Sequence, residues 1–136
     1  MLECLIIGDS IAVGVSQIRR ECVSLSKSGI NSSDWLKRYS HKMQPTKTLI
    51  ISLGANDLKI NTEGHIRSLR TNANAEKVFW LLPSQKLKPR QVEAVKIVAA
   101  EFGDTIIPRP ENNISRDGVH PTYKGYKELA DKTREN

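Results

Sequence analysis

A chain of 136 residues with 38% hydrophobic and 26% charged side chains is long enough for one domain with a true core and too short for two. Its formal charge of +6 comes from 21 Lys and Arg against 15 Asp and Glu spread along the chain, so a solvated basic surface is the first reading of that charge. No apolar run approaches the roughly 18–20 residues of a membrane span, and residues 5–7 are too short an apolar stretch, with no basic segment before them, for a signal peptide.

Residues 3–8 form a short apolar run closed by Gly8, which reads as a buried strand. Ile11, Ala12, Val15 and Ile18 then recur at helical intervals up to about Arg20. Residues 22–26 are strand-like but weak, and Trp35, Leu36 and Tyr39 suggest a short helix. Residues 47–53 are the clearest buried strand, ended by Gly54. Thr62 can cap a helix with apolar positions at Ile66, Leu69 and Ala73. Residues 78–82 give another strand, stopped by Pro83. Val92, Val95, Ala99 and Phe102 fall at steps of three and four, with Gly103 as the C-terminal stop. A brief strand at 104–107 precedes a loop rich in Pro and Asn, and Pro121 or Thr122 opens a last helix through Tyr126, Leu129 and Ala130. Neither a repeat nor a linker divides the chain, so one domain over residues 1–136 is expected.

Five strands alternating with five helices imply right-handed crossovers and a parallel sheet covered on both faces. Reactive groups in such sheets gather at the carboxyl ends of the strands. Four stretches lie on that rim: Gly8-Asp9-Ser10, Ser28-Gly29-Ile30-Asn31, Gly54-Ala55-Asn56-Asp57 and Asp117-Gly118-Val119-His120-Pro121.

Taken singly, Ser10 is an ordinary helix N-cap, His120 an inert loop histidine, Gly29 a turn glycine and Asn56 a turn residue. Together they supply what acyl transfer needs. A serine hydroxyl is a poor nucleophile without a base in reach. Asp117 precedes His120 by three residues across a glycine, so a tight loop can bring its carboxylate to one ring nitrogen and leave the other for Ser10. Pro121 fixes where the following helix starts. The Ser10 amide at a helix N-terminus, the Gly29 N–H and the Asn56 side chain are candidate donors to a tetrahedral oxyanion. Asp57 reads as a residue that bonds local backbone.

These four blocks, spanning residue 5 to about residue 130, resemble those of the SGNH hydrolases, also called GDSL-type esterases and lipases. The serine block matches residues 8–10, the glycine block Gly29, the Gly-x-Asn-Asp block residues 54–57 and the Asp-x-x-His block residues 117–120. The resemblance implies a three-layer α/β/α sandwich with a five-stranded parallel, flavodoxin-like sheet. It implies hydrolysis of an ester or thioester through an acyl-enzyme, with Ser10 as nucleophile, His120 as base, Asp117 as its support, and Ser10, Gly29 and Asn56 forming the oxyanion hole. Neither metal nor organic cofactor is implied. The chain is short for such a family, with trimmed loops, which suits a short acyl group such as acetyl, on a carbohydrate or another exposed alcohol, better than a long lipid chain.

Two other readings fit the sequence: a lysophospholipase or thioesterase of the same fold, and a non-catalytic basic binding module. A phosphate-binding role for the first block is rejected, because it holds a single glycine and Asp9 would repel an anion. The expected partner is a small-molecule or carbohydrate ester; nucleic acid is not expected, since Trp35 and Tyr39 interleave with Lys37, Arg38, His41 and Lys42 at helical spacing and read as core-facing. Cys4 and Cys22 could approach each other if they sit on neighbouring strands, but a pair of reduced core thiols is the preferred reading. The expected location is cytoplasmic, or otherwise reached without a recognisable signal peptide.

Overall fold

A computed structural model describes residues 1–134; Glu135 and Asn136, the last two of the expected domain, lie outside the described residues. Five parallel strands form one sheet in the order β2-β1-β3-β4-β5: β1 (Leu2–Gly8), β2 (Val23–Ser26), β3 (Thr46–Ser52), β4 (Ala75–Leu81) and β5 (Thr105–Ile107). The helices between and after them are α1 (Ser10–Ile18), α2 (Ser32–Tyr39), α3 (Thr62–Asn72), α4 (Pro89–Phe102) and α5 (Tyr123–Lys132). A single 3-10 turn, Ser40–Lys42, extends α2.

Side chains alternate across each strand, so every central strand feeds two cores. Leu5 and Ile7 of β1, Leu49 and Ile51 of β3, and Val78 and Trp80 of β4 pack with Trp35, Ile66, Leu69, Val95 and Val98 of α2, α3 and α4. The intervening Cys4, Ile6, Ile50, Phe79 and Leu81 pack with Ile11, Ala12 and Val15 of α1 and with Leu129 and Ala130 of α5. This is the three-layer α/β/α arrangement, flavodoxin-like in strand order.

Boundaries differ from the sequence expectations by a few residues where polar side chains enter the ladder. Strand β4 begins at Ala75 because Thr46, buried at the start of β3, pairs with it; the apolar run by itself starts only at Val78. Helix α3 is capped by Asn61, whose side chain accepts from the Gly64 N–H, so Thr62 is its first residue and not its cap. Thr122 caps α5 by accepting from the Gly125 N–H, with buried Pro121 just before it.

Cys4 and Cys22 are joined in a disulfide, against the expectation of two reduced thiols. The expectation failed because spacing along the chain says nothing of register. Leu5 pairs with Val23 in the ladder, which brings the residues just before each strand position to a Cα–Cα separation of 4.8 Å, inside disulfide range.

Strand order also fixes where a ligand can enter. The chain leaves β1 for β2 on one side, then crosses back to β3 on the other, so the connections after β1 and β3 diverge. A crevice opens at the carboxyl ends of these two strands. Ser10 follows one of them and Asn56 the other.

Candidate active site

The turn after β1 is built from atoms that sequence alone does not bring together. Gly8 has φ +137°, and a Cβ there would lie 1.9 Å from the Ser52 carbonyl oxygen, so only glycine lets β1 and β3 approach this closely. Asp9 then caps α1: its Oδ1 accepts from the Ile11 N–H at 3.1 Å and from the Ser52 hydroxyl at 2.9 Å. Asp9 is buried and its other oxygen has no partner among the described residues. Burial pushes its pKa up to about 6, outweighing the hydrogen bonds from Ser52 and Ile11 and the charge of Arg109.

Because Asp9 is the cap, Ser10 is the first residue of α1 and its hydroxyl is spared from capping. That hydroxyl lies 3.1 Å from Nε2 of His120, 110 residues away. On the other side of the ring, Nδ1 lies 2.7 Å from Oδ2 of Asp117. Asp117 Oδ1 accepts three further hydrogen bonds, from the Ser115 hydroxyl and from the backbone N–H groups of Val119 and His120. The His120 ring, followed by these donors, holds the Asp117 carboxyl well below the usual range, so it is ionised. An ionised carboxylate only accepts, so Nδ1 carries the ring proton and the bare Nε2 faces the Ser10 hydroxyl.

The loop bearing this pair is knit to itself and to the strand rim. Ser115 N–H donates to the His120 carbonyl, Gly118 N–H to the Ser115 carbonyl, and Thr122 N–H to the Asn113 carbonyl. Arg109, just past β5, donates through Nη1 to the Val119 carbonyl at 2.7 Å.

The donors predicted for an oxyanion divide. Asn56 stands in the same cleft as Ser10 and His120, and one hydrogen of its amide is engaged by the Ile30 carbonyl at 3.1 Å, leaving the other free. The Ser10 N–H, in the first turn of α1, has no partner among the described residues. Gly29, with φ +82°, lines a neighbouring cleft with Lys27, Asp34, Lys37 and Arg38, and is not among the residues lining the Ser10 cleft.

Asp57 makes more than a local turn. Fully buried, it accepts from the Ser32 N–H (2.8 Å), the Ser32 hydroxyl (2.5 Å) and the Thr62 hydroxyl (2.6 Å), clamping the segments after β2 and β3 together. The Gln91 amide from α4 donates to its backbone carbonyl.

The Ser10 cleft has a volume of about 140 Å³ and is walled by Ile11, Ala55, Leu87 and Val119, with Ser84, Lys88 and Arg109 at its edge. These walls escaped sequence reading, although Arg109 follows a strand end and so obeys the same rim rule. Of the expected core-facing aromatics, Trp35 is fully buried and donates to the Leu25 carbonyl, while Tyr39 is half-buried with Arg38 and Lys42 over its ring. No helix among the described residues is long and apolar enough to cross a membrane, and no three His, Cys, Asp or Glu among them gather as a metal site would need.

No protein-family model matches the chain, and no curated protein matches it. Solved structures do. A GDSL-like lipase from Bacteroides thetaiotaomicron superposes with a TM-score of 0.69 at 17% identity, over 96% of this chain and 84% of its own. An aryl esterase of M. smegmatis, in an inhibitor-bound form, gives 0.60 at 16% identity over 98% and 99%. The C-terminal catalytic domain of a Streptococcus pneumoniae peptidoglycan O-acetyltransferase, with a methylsulfonyl adduct, gives 0.65 at 18% over 97% and 90%. At these identities the likeness is one of fold.

Proposed function

We propose that this chain, which has the SGNH (GDSL-type) hydrolase fold, is a serine esterase acting through Ser10, His120 and Asp117 on esters of short acyl groups. The observation that carries the reading is the unbroken line from the Ser10 hydroxyl to Nε2 of His120 and from Nδ1 to an ionised Asp117. Esterases and lipases among the similar structures support it at the level of reaction class.

Neutral His120 takes the Ser10 proton through Nε2 as Oγ bonds to the ester carbonyl carbon. The carbonyl oxygen becomes an oxyanion, which receives hydrogen bonds from the Ser10 N–H and the free hydrogen of the Asn56 amide, with the Gly29 N–H as the third proposed donor. The bond to the alcohol breaks and the alcohol leaves with the proton from His120. Water then attacks the acyl-enzyme, gives its proton to His120, and the acid departs as that proton returns to Ser10. Asp117 stabilises the imidazolium in both halves of the cycle.

The small, mainly apolar cleft supports a short acyl group. Its volume of about 140 Å³ lies below the roughly 300 Å³ at which pockets for larger ligands begin, so a long acyl chain has little wall to bury against.

A fluorophosphonate probe tests the proposal. It should label the wild-type protein at Ser10 and leave folded Ser10→Ala untouched, and acetyl esters should turn over only in the wild type. Full acetyl-ester turnover by folded Ser10→Ala would overturn the assignment.

A further inference from the structure

Beside the Ser10 cleft lies a larger one of about 560 Å³, and the two share Ser84 and Arg109 as a common wall. Pro108 and Ile114 give it apolar surface, Lys86, Lys96 and Arg109 give it positive charge, and Glu111 is the carboxylate among its lining residues. The chain thus places a cavity with three cations next to the cleft of the proposed nucleophile, where the leaving alcohol of an ester has room to sit.

These cations are not held in ion pairs. Arg67, Arg70, Lys127 and Arg134 each meet a carboxylate, whereas Lys86, Lys88, Lys96 and Arg109 meet none within ion-pair distance among the described residues. Arg109 is the most telling. It is partly buried, yet one Nη1 contact to the Val119 carbonyl is the hydrogen bond its side chain makes among the described residues, out of five N–H donors. Burial lowers its pKa while Asp9 and Tyr126 raise it, so its charge is compensated only at longer range. A desolvated guanidinium with unused donors beside a cavity fits an anion better than water alone. Lys86, Lys88 and Arg90 also precede or begin α4, whose first turn holds no acidic residue, so their charges oppose the helix dipole instead of complementing it.

Resting on the esterase reading above, we infer that the larger cleft receives an anionic group, carboxylate or phosphate, carried on the alcohol of the ester. The acyl group then occupies the small cleft at Ser10, and the anion is held by Arg109 with Lys86 and Lys96. Charge neutralised there raises the occupancy of the Michaelis complex without touching the Ser10–His120 line, so the selectivity lies in KM more than in kcat.

Size-matched aryl acetates separate the possibilities: 4-acetoxybenzoate against its neutral amide, 4-acetoxybenzamide, with 4-acetoxyphenyl phosphate as a second anion. The wild type should favour the anionic esters in kcat/KM by at least about tenfold over the amide, a charge-assisted hydrogen bond's worth. That preference should shrink in Lys86→Gln/Lys96→Gln and as NaCl is raised. The larger of the two anionic preferences tells carboxylate from phosphate. An anionic-to-neutral ratio near one, or one that the double variant leaves unchanged, would overturn the inference. Binding of 4-acetoxybenzoate to Ser10→Ala, followed by NMR, gives a readout independent of turnover. If no ester is hydrolysed and fluorophosphonate does not label Ser10, the esterase reading fails by itself. The cleft is then judged by whether Lys86→Gln/Lys96→Gln in the Ser10→Ala background weakens that binding, which supports it, or leaves it unchanged, which overturns it.

Discussion

The Asp9 carboxylate and the Ser52 hydroxyl, 43 residues apart, meet at 2.9 Å beneath the turn that presents Ser10, while the Asp9 N–H donates to the Ser52 carbonyl. The turn is thus tied to β3 by two hydrogen bonds, one of which ends on a buried acid whose pKa is raised by burial to about 6.

That shift has a definite sign. Between about pH 4 and 6 the folded protein keeps a proton on Asp9 that the unfolded chain has released, so stability contributed by this group is present at the acid end and lost as pH rises through 6. The full difference is on the order of 3 kcal/mol, since each pKa unit is about 1.4 kcal/mol. In Asp9→Asn the amide oxygen still accepts from Ile11 and Ser52 without a buried charge. The variant should therefore gain on the wild type in urea unfolding at pH 8 and match it near pH 3, below the unfolded pKa. An equal offset at both pH values contradicts the account.

Asp57 carries a different load. Truncation to alanine in Asp57→Ala leaves the Ser32 N–H, the Ser32 hydroxyl and the Thr62 hydroxyl without their acceptor in a dry site. The expected loss is about 3–5 kcal/mol by denaturant titration. Asp57→Asn should lose less, because one amide oxygen still accepts. A fall below 1 kcal/mol in the alanine variant would show that Ser32 and Thr62 find other acceptors.

The Cys4–Cys22 bridge closes a loop with a sequence separation of 18 between the cysteines, for which loop-closure arguments give about 3 kcal/mol. Dithiothreitol should lower Tm by several degrees, and Cys4→Ala/Cys22→Ala should show the lowered value with no further response to the reductant. A double variant as stable as the oxidised wild type refutes the estimate. Both cysteines sit in or beside the core formed with α1 and α5, so the alanine variant also loses packing and the reductant comparison is the cleaner one.

What could be read from the chain was the rim. Strand ends are marked by Gly8, Gly54 and Pro83, and the parallel sheet then places the blocks holding Ser10, Asn56 and His120 on one edge without knowledge of any contact. The strand order, the sandwich and the similarity to GDSL-type structures agree with that reading. Pairwise register was not legible, and so neither was the disulfide, which depends on Leu5 facing Val23. Nor was the true cap of α1. Ser and Asp are both good caps, and what decides between them is the Ser52 hydroxyl, which folds in from β3 to hold Asp9. Arg109 was hidden for a related reason: an arginine in a Pro-flanked loop has no period to betray which way it turns.

Asn56→Ala removes a candidate oxyanion donor and also the hydrogen bond to the Ile30 carbonyl. If the free amide hydrogen serves the oxyanion, kcat for a short acetyl ester should fall by roughly 10²–10³ with little change in KM. If the amide only braces the loop before α2, the variant should lose stability while kcat falls less than about tenfold. Steady-state kinetics with a parallel unfolding curve separate the two.

Asp117→Asn is the sharpest test of the line through His120. The wild-type carboxylate fixes the proton on Nδ1 because it can only accept, and it accepts as well from Ser115, Val119 and the His120 backbone. An asparagine keeps the shape of the loop but can turn its NH₂ toward Nδ1, which then becomes the acceptor and sends the ring proton to Nε2. A protonated Nε2 cannot take the Ser10 proton. The expected result is a kcat lower by about 10³–10⁴ with a nearly unchanged KM and unfolding curve, the loss seen when a triad imidazole is left in the wrong tautomer. Fluorophosphonate labelling of Ser10 should slow in step, since the same proton transfer activates the hydroxyl. Turnover within tenfold of wild type would mean that the Asp117–His120 contact at 2.7 Å orients the ring and does nothing for the chemistry.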